Sequence, residues 1–184
     1  MRHILLVAFM AISTIGFAQK NKVQIPEMPI NEETGLIEYA DNDAVNGAGA
    51  SDLYDRAYNW GKVYYKNYAE KLRVQDKENG RMEIFGRFSI FAHDKKGAVT
   101  SGKIGLIQYT LGIDFKEGRY RYNLSKVNQK AASYSPVENW LDGSDANASN
   151  NAYKLIDIDT HIQELLASLN KALNKAPQAA EDDW

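Results

Sequence analysis

No cysteine occurs in the 184 residues, and that absence removes several kinds of chemistry. A disulfide framework, a thiolate nucleophile, an iron–sulfur cluster, cysteine-ligated zinc and a lipid-modified cysteine anchor all need the missing residue. Histidine is scarce, at three. Charge of one sign is lacking too: the formal net charge of -2 gives no general pull toward nucleic acid or an anionic membrane. Nor does any apolar run reach the ~20 residues that a membrane-spanning helix needs. What is present is material for a core, with 44% hydrophobic residues and 20 aromatics. The length suits one domain, since domains cluster at ~100–150 residues.

The N-terminus carries an address. Arg2 and His3 make a short basic start, and Ile4 to Phe17 is apolar apart from Ser13, Thr14 and Gly16. Gly16 and Ala18 then place small residues before Gln19. A charged start, an apolar stretch and a small-residue exit are the pattern of a cleaved secretory signal peptide. The mature chain then begins at Gln19 and keeps 21 of the 22 basic residues against 24 acidic ones. An exported domain without cysteine must hold together by packing alone.

From Gln19 to Glu33 the chain is polar, with Pro26 and Pro29, and reads as an extended lead-in. Thr34-Gly35 marks a turn, and a first strand is expected from Leu36 to about Val45. Asn46 to Ala50 is a glycine loop, after which Ser51 is placed to cap a helix over Asp52 to about Tyr68. At 100° per residue, Leu53, Ala57, Trp60, Tyr64 and Tyr68 share one face of it, which makes Trp60 and Tyr64 core anchors. Tyr54, Tyr58 and Tyr65 fall along one side and are expected at the rim, with hydroxyls in water.

Two hairpins follow. In Arg81 to Ala92, Met82, Ile84, Phe88 and Ile90 share a face. A three-residue loop, Glu78-Asn79-Gly80, sets Val74 opposite Ile84 and Leu72 opposite Gly86, whereas a two-residue turn would mix faces. Gly80 then takes the left-handed position of that loop. In the second hairpin Glu117-Gly118 turns the chain. Phe115 then faces Tyr120, Ile113 faces Tyr122, Leu111 faces Leu124, and Asp114 meets Arg121 on the other side. Ile104 and Leu106 have the opposite parity to Ile107, Tyr109 and Leu111, which predicts a β-bulge near Leu106. Residues 128–151 read as a long loop, and a last helix is expected over Tyr153 to Asn174. Its stripe is Leu155, Ile158, Ile162, Leu165, Leu166, Leu169 and Leu173. Pro177 to Trp184 reads as an acidic tail.

The order β-α-β-β-β-β-α predicts an α+β domain, a curved antiparallel sheet with two helices packed on one face. This order, with Thr34-Gly35-Leu36-Ile37-Glu38-Tyr39, Leu53-Tyr54 with Ala57 and Trp60, and Asp76-Lys77-Glu78-Asn79-Gly80, carries a resemblance. Ile107 to Phe115 followed by Gly118-Arg119-Tyr120-Arg121-Tyr122 adds to it. The sequence resembles a bacterial secreted domain-of-unknown-function family with a TATA-binding-protein (TBP)-like fold, over roughly Pro29 to Leu124. The resemblance implies a fold and an address, and no catalytic residues.

Tests for chemistry return little. Gly47 and Gly49 lie between strand and helix, but the third glycine of a dinucleotide pattern and a P-loop lysine are both absent. Of the two histidines left after processing, His161 lies four residues after Asp157, as a surface ion pair would. His93 precedes Asp94-Lys95-Lys96 in what reads as a solvated loop. No nucleophile-elbow motif supports a hydrolase. Neither a metal nor a cofactor is expected, and an acidic exported chain is a poor candidate for nucleic acid. Phe85 and Phe91 have the wrong parity for the core and alternate with Arg87, near Arg119 and Arg121. Single exposed apolar residues are common; the alternative is a partner-binding patch, since aromatics and arginine are enriched at interfaces. The leading expectation is a non-enzymatic interaction module of the periplasm or cell envelope, using Phe85, Arg87, Phe91, Arg119 and Arg121. The second is a carrier of a small apolar ligand between the sheet and the last helix, motivated by Tyr64, Tyr109, Tyr120 and Tyr122.

Overall fold

The computed structural model describes residues 24–94 and 97–175. The segments expected to be a signal peptide and an acidic tail lie outside the described residues. Strands β1 (Tyr39–Ala44), β2 (Leu72–Asp76), β3 (Arg81–His93), β4 (Val99–Lys116), β5 (Arg119–Gln129) and β6 (Ser135–Pro136) form one open antiparallel sheet. Its order is β1-β5-β4-β3-β2, with β6 beside the end of β5. Helix α1 (Ala50–Tyr64), the single turn α2 (Tyr68–Lys71) and the long α3 (Ala148–Leu173) complete the domain. The α+β class is the one the sequence predicts, and the expected order β-α-β-β-β-β-α is extended by the single turn α2 and the two-residue β6.

The core lies between the sheet and the helices. All seven residues of the α3 stripe are buried, and they meet Met82, Ile84, Ile90, Ile107, Tyr109, Leu111 and Ile113 of the sheet. Burying a side chain of this size contributes about 1.5–3 kcal/mol, so the sheet–helix interface supplies the stability that disulfides would otherwise give. The lead-in is tied down as well. Met28 is buried and Ile30 bridges Ile37 in antiparallel fashion, so the first strand proper begins at Tyr39 rather than Leu36.

The β4–β5 hairpin has the expected register, with Phe115 opposite Tyr120, Ile113 opposite Tyr122, Leu111 opposite Leu124 and Asp114 opposite Arg121. The β2–β3 hairpin corrects the expectation. Asp76 pairs with Arg81 across a four-residue loop, Gln75 pairs with Met82, and a bulge between Leu72 and Val74 restores Leu72 opposite Ile84. The cause is local: Asp76 accepts hydrogen bonds from the Asn79 backbone N–H at 3.0 Å and side-chain amide at 2.8 Å. That side-chain-closed turn sets the loop length, and the bulge absorbs the slip. Gly80 does adopt the left-handed conformation, at φ 61°. The bulge expected near Leu106 falls at Ile104, since Ile90 pairs with Gly105 while Phe91 pairs with Lys103.

Helix α1 starts one residue after Gly49, and no side chain caps it, so Ser51 is not its cap. It ends at Tyr64, short of Tyr68, because Asn67 turns left-handed at φ 53° and returns Tyr68 toward the helix. Tyr68 lands where Gly61 leaves room: a Cβ on Gly61 would lie 2.4 Å from the Tyr68 ring. The tyrosine row expected at the rim is therefore divided. Tyr54 and Tyr65 are buried, Tyr58 is half-buried, and the Tyr65 hydroxyl meets that of Tyr109 at 3.0 Å. The expected core anchor Tyr64 is only half-buried, stacked on Trp60 at 5.1 Å. Residues 128–151 are not structureless. They hold the end of β5, β6, a short 3-10 helix (Val137–Leu141) and the first turn of α3, which begins five residues before the expected Tyr153.

Candidate functional site

A strand points successive side chains to opposite faces. Once Met82, Ile84, Tyr109, Leu111, Ile113 and Leu124 are buried under the helices, their neighbours must face the other way. Arg81, Glu83, Phe85 and Arg87 of β3 therefore share the free face with Gln108, Thr110, Gly112, Asp114 and Lys116 of β4. Arg119, Arg121, Asn123 and Ser125 of β5, and Ala40 and Asn42 of β1, complete it. Pairing aligns them in rows: Arg81, Asp114, Arg121 and Asn42 in one, and Glu83, Gly112, Asn123 and Ala40 in the next. A third row runs Phe85, Thr110 and Ser125.

Across these rows lies a trough of about 610 Å³, lined among others by Arg81, Glu83, Thr110, Gly112, Asp114, Arg121, Asn123, Ser125 and Lys126. Its middle is low because Gly112, Thr110, Ser125 and Ala40 are small. Lys126 enters through a β-bulge: the β4–β5 register shifts between Gln108 and Thr110, and Lys126 sits left-handed at φ 54°. That conformation costs a non-glycine residue about 1 kcal/mol, and a bulge re-aims a side chain that would otherwise follow the ladder.

The residues proposed from the sequence separate into groups. Phe85 is half-buried, with the Arg73 guanidinium 5.3 Å and the Arg87 guanidinium 5.7 Å from its ring centre. Arg121 is held by Asp114 at 2.8 Å. Arg119 adjoins it and lines a smaller hollow of about 300 Å³ with Asn42, Asp114 and Tyr120. The structure thus brings Phe85 to Arg87 and Arg119 to Arg121, on one face but at opposite corners. Phe91 does not join them. The register slips on both sides of it, and it borders a cleft of about 230 Å³ beside α3, with Phe88, Val99, Asp157 and His161. The signal that sequence reasoning missed is Lys126, whose place depends on a positive φ that no alternation pattern announces.

Both histidines lie elsewhere than expected. His93 closes β3, stacks on Tyr153 at 4.7 Å and meets the Asp157 carboxylate at 3.3 Å, with only 8% of its side chain exposed. Asp157 thus pairs across elements instead of with His161, whose ring lies on Phe88 at 3.8 Å. Ser89 and Thr160 share the cleft with His161, and among the described residues no hydrogen bond joins either hydroxyl to the imidazole. No cluster of three metal-ligating side chains occurs among the described residues. The glycine loop before α1 is occupied from within: Glu117 stands 3.6 Å from where a Gly49 Cβ would be, where a carboxylate suits a helix N-terminus.

Burial holds the His161 imidazole below its ordinary range, against the weaker opposing pull of Glu164. A histidine that resists protonation in the folded state contributes stability above its unfolded pKa and loses it as pH falls. The unfolding midpoint should therefore decline between about pH 7 and pH 5, and His161→Phe should flatten that decline. An unchanged slope in the variant would assign the dependence to other groups.

Residues 39–130 match the family model described as a domain of unknown function with TBP-like fold (DUF4468). A solved TBP-like protein from Parabacteroides distasonis superposes with a TM-score of 0.60 at 14% identity, covering 78% of this chain and 96% of that one. A DUF4468 family protein from Bacteroides ovatus does so with a TM-score of 0.60 at 13% identity, covering 82% and 93%. At such identity the likeness is one of fold, and it agrees with the resemblance read from the sequence. No curated protein matches the sequence.

Proposed function

We propose that this chain, which belongs to the DUF4468 family of domains of unknown function with a TBP-like fold, is an exported, non-enzymatic interaction module of the periplasm or cell envelope. Its partner meets the free face of the sheet. The observation that carries this reading is the asymmetry of the sheet: one face is closed by α1 and α3, while the other holds a broad trough and an aromatic ring edged by two guanidinium groups. Aromatics and arginine lead among residues that dominate interfaces. Export is supported by the leader pattern of Met1 to Ala18. No helix among the described residues is long and apolar enough to cross a membrane. The carrier reading has less behind it, because Tyr109, Leu111, Ile113, Leu155, Ile158 and Ile162 fill the space between sheet and α3 with 1% exposure or less.

The test is capture from the native envelope by chemical cross-linking. Phe85→Ser combined with Arg121→Glu should leave the fold intact and reduce the captured partner roughly tenfold or more. If the double variant retains every partner at wild-type level, the free face is not the interface.

A further inference from the structure

The chain is slightly acidic, at -2, but its charges are not evenly spread. Along the trough the free face carries Arg81, Arg121 and Lys126, with Lys116 and Arg119 at the adjoining hollow, against Glu83, Asp114 and Glu38, whose carboxylate accepts a hydrogen bond from the Asn123 amide at 2.6 Å. Asp114 is committed to Arg121. The Arg81 guanidinium and the Lys126 ammonium, by contrast, take part in no hydrogen bond or ion pair among the described residues, although Arg81 lies within electrostatic reach of Asp76. They stand on either side of a floor of small residues, Arg81 in the first row and Lys126 just beyond Ser125 of the third.

Resting on the open-face reading above, we propose that the trough binds an extended acidic segment of a partner protein, with carboxylates at alternate positions. In an extended chain, side chains at i, i+2 and i+4 point the same way and span about 13 Å, the four-residue separation of the row of Arg81 and Arg121 from the row of Thr110 and Ser125 beside Lys126. The low floor at Gly112 lets that backbone approach the sheet, and the left-handed Lys126 lines the groove at its far end. A polypeptide fits better than a nucleic acid because Glu83 and Asp114 interrupt the basic surface. A backbone with one phosphate per nucleotide would be forced against them, whereas a segment with polar residues between its acids is not.

The experiment is an amide-resolved NMR titration with the peptide Ac-Ser-Glu-Ser-Glu-Ser-Glu-Ser-NH2, its glutamine counterpart, and a ten-residue oligothymidine. The acidic peptide should shift Thr110, Gly112, Asn123 and Ser125, and its affinity should fall on the order of tenfold when salt rises from about 50 to 200 mM. Arg81→Glu with Lys126→Glu should abolish the shifts. So should Gly112→Leu, which fills the trough yet folds, since a Cβ there meets only the Asn123 carbonyl oxygen at 3.8 Å. Equal shifts from the glutamine peptide at the same amides would overturn the acidic specificity and leave the open-face reading standing. Shifts confined to other surfaces, or none, would overturn the inference, and capture that survives Phe85→Ser with Arg121→Glu would separately remove the face itself. Tighter binding of the oligothymidine would replace the polypeptide by a nucleic acid.

Discussion

Gly86→Ala is expected to destabilise the domain by about 3 kcal/mol, combining overpacking of a filled core with the loss of a buried hydrogen bond. A Cβ at Gly86 would lie 2.0 Å from Cζ of Tyr109 and 2.3 Å from its hydroxyl. Tyr109 has nowhere to retreat, being 1% exposed and bonded through its hydroxyl to Tyr65. In an ordinary strand the same substitution would help, because glycine weakens strand interiors. The sign therefore reports the packing of one ring. Gly112→Ala makes the control: it lies on the neighbouring strand, its new Cβ meets ordinary contacts only, and its stability should be equal or higher. Urea titration of the two variants reads the contrast through their midpoints. Equal midpoints would mean that the Tyr109 ring is not fixed over Gly86.

The second large effect is unfolding in alkali. Burial raises the pKa of Tyr39, Tyr65, Tyr68, Tyr109 and Tyr120 above the ordinary tyrosine range, and in Tyr39 and Tyr120 hydrogen bonds to Asp159 and Asp43 raise it further. A phenol whose folded pKa is raised contributes stability that is complete below the unfolded pKa of about 10 and is lost as pH rises beyond it. The unfolded chain can release these protons above that pH, while the folded chain must keep them. The domain should therefore hold its near-ultraviolet circular dichroism to about pH 10 and then lose it in one steep step, as the phenolate band rises with it. Tyr109→Phe should move that step to higher pH, less whatever the lost hydroxyl contact with Tyr65 costs. A gradual phenolate rise near pH 10 with intact dichroism would show that these rings titrate without unfolding.

What could be read from the sequence was what alternation and helical period encode. The α3 stripe and the β4–β5 register came out because each is fixed by one periodic signal and, in the hairpin, by a two-residue glycine turn. The β2–β3 register did not, because Asp76 and Asn79 close a turn through side-chain hydrogen bonds that compete with hydrophobic matching. Likewise the helical period runs on smoothly past Tyr64, and only the left-handed Asn67 ends it. The free face was legible as the polar half of the alternation, and Phe85 and Arg87 fall where that half predicts. Phe91 and Lys126 were not, since each depends on a bulge, and a bulge leaves a sequence pattern looking unbroken while changing where its residues point.

The place of β1 has a consequence for the order of assembly. Its Tyr39 pairs with Leu124, 85 positions further along, whereas β3, β4 and β5 each pair with the strand next to them in the chain. Closing so long a loop sacrifices chain entropy before any contact repays it, so the local meander is the natural nucleus and β1 docks onto a surface already formed. During synthesis the first strand to emerge is thus among the last to find its place. It waits unpaired until the whole of β5 has followed, an interval in which the export proposed above would find the chain still open enough to be threaded.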